Sequence, residues 1–133
     1  MFLKKVLTGK IHGATVTGAD INYMGSITVD SLLLETAGIR PLEEVEIWNV
    51  SNGERFTTYA LPGKSGGGDI CLNGSAARRV QKGDRIIIAT YAFVSGEWQG
   101  VHEAKIAIPD EKNRLAKRLA YRVDYKTGEF SIV

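Results

Sequence analysis

One cysteine, Cys71, stands in 133 residues. An internal disulfide is therefore excluded, and a lone thiol suits a reducing compartment. Mid-strand between Ile70 and Leu72, it reads as a buried structural thiol. Only two histidines are present, His12 and His102. They lie far apart, with no cysteine or carboxylate cluster at ligand spacing, so no metal is expected. No apolar run approaches a membrane span, and MFLKKVLTGKIHG lacks the continuous apolar core of a signal peptide. The chain is thus expected in the cytoplasm, with no membrane partner. An excess of one charge is also missing: 17 Lys and Arg face 15 Asp and Glu, a net charge of +2. The basic residues are scattered, with no stripe of interleaved aromatics, so no nucleic-acid partner is expected. There is no G-x-S-x-G nucleophile elbow. Gly63-Lys64-Ser65 resembles the end of a phosphate-binding loop, but Thr58 occupies the place of its upstream glycine, and the segment reads as a mobile loop.

What remains is a chain with 44% hydrophobic and 24% charged residues. That is ordinary for a soluble domain, and the length favours one domain over 1–133. Strands dominate. Residues 3–8 and 10–17 read as a strand or hairpin region broken at Gly9 and Gly13. Ile27–Val29 opens another strand. Residues 30–38 form a short helix, capped by Asp30 and ended by Gly38. Glu44–Val50 and Glu54–Leu61 flank Ser51-Asn52-Gly53, a strong hairpin signal. Residues 62–68 are a loop, Asp69–Asn73 a strand, and Gly74–Val80 one or two helical turns. Arg85–Val94 is the most apolar strand and is expected in the core. Beyond it, Lys105–Ile108 and a hairpin around Lys126-Thr127-Gly128 are expected, with the role of residues 95–133 open. Many short strands with turn signals indicate a small β-barrel.

Asn22-Tyr23-Met24-Gly25-Ser26-Ile27-Thr28-Val29 places Gly-Ser at the mouth of a strand. Alone, it reads as a turn. Other stretches accompany it in order: GKIH at 9–12, YMGSITVD at 23–30, AGI at 37–39, EIWNV at 46–50, NGERFTTY at 52–59, CLNGSAAR at 71–78 and KGD at 82–84. Across residues 1–94 this ordered set closely resembles the pyruvoyl-dependent aspartate 1-decarboxylases, lyases that make β-alanine for pantothenate synthesis.

The resemblance implies a double-psi β-barrel, a homotetramer and active sites between subunits. It implies a zymogen that cuts itself between Gly25 and Ser26. Ser26 would attack the Gly25 carbonyl, helped by a bare glycine backbone that tolerates strain. An ester, then elimination and hydrolysis, would leave a pyruvoyl group in place of Ser26. No metal and no pyridoxal phosphate would be needed. The pyruvoyl would form a Schiff base with L-aspartate. By matching positions, Tyr59 would donate the proton, and Thr58 would polarise the Gly25 carbonyl and later touch substrate. Arg55 and Lys10 would bind carboxylates, with Asn73, Gly74, Ser75, Ala76 and Tyr23 lining the site. Ser75 departs from the usual alanine. A helper for maturation is left open. On a flat strand Thr58 and Tyr59 face opposite ways, so a bulge or a site built from two subunits is required. Two other functions compete: a non-catalytic barrel that binds a partner, and a hydrolase using Ser26 or Cys71.

Overall fold

The computed structural model describes residues 2–133. The described elements run β1 (Leu3–Thr15), β2 (Gly18–Asp20), β3 (Ser26–Asp30), α1 (Ser31–Ala37), β4 (Glu44–Asn49) and β5 (Arg55–Gly63). Then come β6 (Ile70–Asn73), a 3-10 helix (Gly74–Arg79), β7 (Arg85–Ser95), β8 (Val101–Pro109), β9 (Leu115–Asp124) and β10 (Glu129–Ile132). The chain is mainly β. Its strands form one sheet in the order β10-β9-β8-β1-β7-β4-β5-β3-β6-β2. Three pairs are parallel: β1 with β8, β3 with β5, and β2 with β6. The β1–β2 connection reaches two distant parts of that sheet. Thr17 N donates to Ile70 O of β6 at 2.8 Å, and Val16 N donates to Asp84 O, just before β7, at 2.8 Å. These bonds curl the sheet toward the small barrel expected of it.

The first segment is one strand, not a hairpin. Its pairing with β7 shifts register between Leu7 and Gly9 and between His12 and Ala14. Thr8, just before Gly9, and Gly13 are therefore the extra residues of two bulges, which bend and twist a strand without ending it. β5 likewise runs on through Pro62 and Gly63, which pair with Val29 and Asp30.

Local chemistry explains α1. The Asp30 carboxylate accepts from Leu32 N at 2.9 Å, and Gly38 closes the helix at φ 70°. Asp30 also accepts from Gly66 N and Gly68 N at 2.9 Å each. The loop read as mobile is thus tied down by a side chain from the helix start. Asn113 adds a second tie: its Nδ2 donates to Thr15 O at 2.8 Å and Gly68 O at 2.9 Å.

The interior is a row of β-branched and aliphatic side chains. Ile11, Ile88 and Ile47 pair across β1, β7 and β4 and are fully buried. Ile27, Val29, Leu33, Ile70 and Leu72 continue the same cluster. β7 lies between β1 and β4, as its apolar run suggests. Residues 101–132 extend the sheet: β8 lies on β1, and β9 and β10 follow outward. Among the described residues no helix is long and apolar enough to cross a membrane.

Candidate active site

Ser26 opens β3, and its side chain is fully buried. Asn73, its partner across β6, donates Nδ2 to Ser26 Oγ at 2.9 Å and to Thr28 Oγ1 at 3.2 Å. Ser26 Oγ reaches back to Met24 O with a long 3.4 Å contact. The hydroxyl is thus held by an amide at the point where an exposed loop enters a buried strand. Cys71, two residues before Asn73, is half-buried rather than buried, and its Sγ contacts Asn73 Oδ1 at 3.5 Å. Desolvation, then Asp20 and Asp69, push its pKa up. The thiol stays protonated and donates to Oδ1, which leaves Nδ2 facing the two hydroxyls.

The segment Asn73–Ala76 fits this corner through backbone. Gly74 has φ 67°, and a Cβ there would stand 2.7 Å from Gly25 Cα and 2.8 Å from Gly25 N. Gly25 itself lies outside the left-handed region, and a Cβ on it would meet nothing within 4 Å. Nothing around Gly25 forbids a side chain; the glycine that the geometry requires is Gly74. Gly74→Ala is expected to destabilise the fold by about 2–4 kcal/mol, combining left-handed strain with backbone overlap. It should also displace the Gly25–Ser26 junction. Urea unfolding and a time course of intact mass would check both, and a variant with unchanged stability would show that the loop has room to yield.

Register places the other candidates. Ile27 pairs with Ala60, both fully buried. One residue back, Ser26 and Tyr59 therefore lie on the same side of adjacent strands, Ser26 fully buried and Tyr59 38% exposed. Thr58 points to the opposite face from Tyr59. β5 shows no register shift against β3 or β4. The bulge that would aim both side chains one way is absent.

Arg55, Thr57 and Tyr59 lie on one outer face with Trp48, Glu46 and Glu44 of β4, their cross-strand partners. Lys10 belongs to the same face through the register Lys10–Ala89–Glu46. A groove of about 500 Å³ runs over this face, lined by Glu44, Glu46, Thr57, Ala89 and Tyr91 among others. Arg55 stacks over Trp48 at 4.5 Å, a contact not read from the sequence, though Trp48 is seven residues before it. His12 lies next to Lys10 along the face. Loss of solvent, then Lys10 and Arg85, lower its pKa, so the ring is neutral at pH 7.

Not everything converges. β7, β4 and β5 separate Lys10 on β1 from Ser26 on β3. Lys10 Nζ instead donates to Tyr121 Oη at 3.1 Å. Tyr23 is exposed, though its carbonyl oxygen would stand 3.1 Å from a Cβ on Gly74, and Ser75 is exposed beside the buried Ala76. Among the described residues no group of three or more His, Cys, Asp or Glu could hold a metal.

The aspartate decarboxylase family profile matches residues 1–116. The chain belongs to the aspartate decarboxylase family. It is 52% identical over 118 residues to an aspartate 1-decarboxylase of Neisseria meningitidis serogroup C, covering 89% of this chain and 93% of the relative. It is 47% identical over 116 residues to an aspartate 1-decarboxylase of Bacillus subtilis, covering 87% and 91%. A third such relative, from Caldicellulosiruptor saccharolyticus, is 50% identical over 115 residues. The aspartate decarboxylase match takes in Ser26, Asn73, Gly74, Arg55 and Tyr59 but stops before Tyr121.

Proposed function

We propose that this family member converts L-aspartate to β-alanine and CO2 for pantothenate synthesis, using a pyruvoyl group made from its own Ser26. The observation that carries this is the Ser26 hydroxyl, buried at a loop–strand junction and faced by the Asn73 amide at 2.9 Å. The surroundings fit the group. An amide donor that meets a hydroxyl oxygen also meets a carbonyl oxygen, and the enclosed site shields it from water.

Self-processing begins when Ser26 Oγ attacks the Gly25 carbonyl carbon. A C–O bond forms, the peptide C–N bond breaks, and residue 26 gains a free amine. Thr58, on the neighbouring strand β5, polarises that carbonyl. Asn73 uses one lone pair of Oγ and leaves the other for attack. Loss of the residue 26 α-proton then breaks the Cβ–Oγ bond and frees the Gly25 carboxylate. Water enters and ammonia leaves.

The mature group supplies a ketone that accepts electrons as the substrate loses CO2. Arg55 binds a substrate carboxylate with its planar fork. Tyr59, on the face shared with Ser26, returns a proton to the carbon. Lys10 takes the remaining carboxylate from a second copy of the chain. The three strands that lie between Lys10 and Ser26 in the sheet, and the opposite faces of Thr58 and Tyr59, support a site completed between subunits, with a homotetramer as the assembly.

Denaturing intact mass tests this reading. Two pieces are expected, one ending at Gly25 and one beginning at residue 26 and lacking the elements of ammonia relative to a serine terminus, with β-alanine formed from L-aspartate. A full-length mass that persists after incubation with cell extract, together with no β-alanine, would overturn it.

A further inference from the structure

We propose that Tyr121, in the C-terminal β9–β10 hairpin, is a positioning residue that holds Lys10 as an unpaired cation for an acidic substrate. Lys10 is only 8% exposed. A nearly enclosed ammonium normally has a carboxylate beside it. Among the described residues no carboxylate lies within ion-pair distance of Lys10. Its partner is neutral: Nζ donates to Tyr121 Oη at 3.1 Å and stands 4.9 Å from the centre of the Tyr121 ring.

The ring is itself fixed. Tyr121 pairs with Ala104 of β8 on one side and Ile132 of β10 on the other. Phe130 meets it edge-on at 5.9 Å, and the two help line an apolar hollow of about 190 Å³ with Leu7 and Val123. One aromatic side chain thus supplies both an oxygen acceptor and a π face. Neither neutralises the charge. A cation held this way gains its counter-ion only when an anion arrives, which suits a substrate carboxylate. Tyr121 lies beyond the span matched by the family profile, so this support belongs to the C-terminal hairpin.

The inference rests on the decarboxylase reading for the identity of the anion, so its test has two arms. In the first, Tyr121→Ala is expected to raise KM for L-aspartate about tenfold with kcat nearly unchanged, as loss of a charge-assisted hydrogen bond and a cation–π contact implies. Tyr121→Phe keeps the ring and should show about a threefold rise. In the second, the full chain is acetylated with an N-hydroxysuccinimide ester, and Lys10 is followed by peptide mass. Lys10 should react slowly in the parent and at least about tenfold faster in Tyr121→Ala, since an enclosed amine is freed. Unchanged KM in both variants of an active parent, or unchanged Lys10 labelling, would overturn the inference. An inactive, uncut parent would sink the decarboxylase reading alone, because labelling still reports whether Tyr121 holds Lys10.

Discussion

Replacing Ser26 by alanine is expected to leave one intact chain that forms no β-alanine from L-aspartate. The reason is chemical: without Oγ no ester forms, and without the ester nothing is eliminated. The fold should survive. The change removes one hydroxyl, and Asn73 Nδ2 keeps its second acceptor, Thr28 Oγ1, at 3.2 Å. The expected loss of stability is about 1–2 kcal/mol, that of one buried hydrogen bond. Circular dichroism and urea unfolding would establish that the variant is folded, and intact mass and β-alanine release would report the rest. A folded Ser26→Ala chain that still decarboxylates would end the pyruvoyl proposal.

Tyr59→Phe should separate maturation from turnover. Tyr59 is 38% exposed, and its hydroxyl makes no hydrogen bond among the described residues, so its removal should cost little stability. It lies on the same side as Ser26, while Thr58, the residue proposed to polarise the Gly25 carbonyl, points the opposite way. Cleavage should therefore proceed at the parent rate. Turnover should fall about 10²–10⁴-fold, the usual contribution of a positioned proton donor, with KM nearly unchanged. The two rates come from a mass time course and from steady-state kinetics on chain already cut. A fall of less than about threefold would assign the proton to another group, since general acids typically contribute far more.

The parts of the fold that depend on neighbours in sequence were legible. Asp30 and Gly38 bracket α1 because a carboxylate reaches its own backbone two residues on, and because glycine adopts the left-handed turn at φ 70°. Asn52-Gly53 announced the β4–β5 hairpin for the same kind of reason, with Gly53 at φ 80°. Long-range pairing left no such mark. Nothing near Lys105 says that it will lie parallel to Gly9, and residues 95–133 could be read only as fragments. Gly9 and Gly13 were misread because a glycine at or beside a bulge looks, in sequence, like a break. Only the register of the partner strand distinguishes them.

The candidate site was legible in a different way. Composition and spacing left Gly25-Ser26 an ordinary turn, and the resemblance alone singled it out. Its physical setting was invisible to both. The requirement for a bare Gly74 comes from a chain segment nearly fifty residues earlier, and the Cys71–Asn73–Ser26 relay needs three side chains on one face of a two-strand pair. The Lys10–Tyr121 contact joins the two ends of the chain.

The central place of β1 has a consequence for reversibility. β1 lies between β7 and β8, paired along both edges. A cut after Gly25 would leave β1 and β2 on a separate short polypeptide, threaded through the middle of a sheet made by the other piece. The assembled molecule would hold together, since no hydrogen bond of either ladder is lost. Unfolding it would not simply be undone. Before the cut, the strand finds its slot at a concentration set by the chain joining it to the rest; afterwards two molecules must meet, and recovery falls with dilution. Equilibrium stabilities are therefore to be measured on the uncut chain, while the mature protein's endurance is a matter of how slowly it opens.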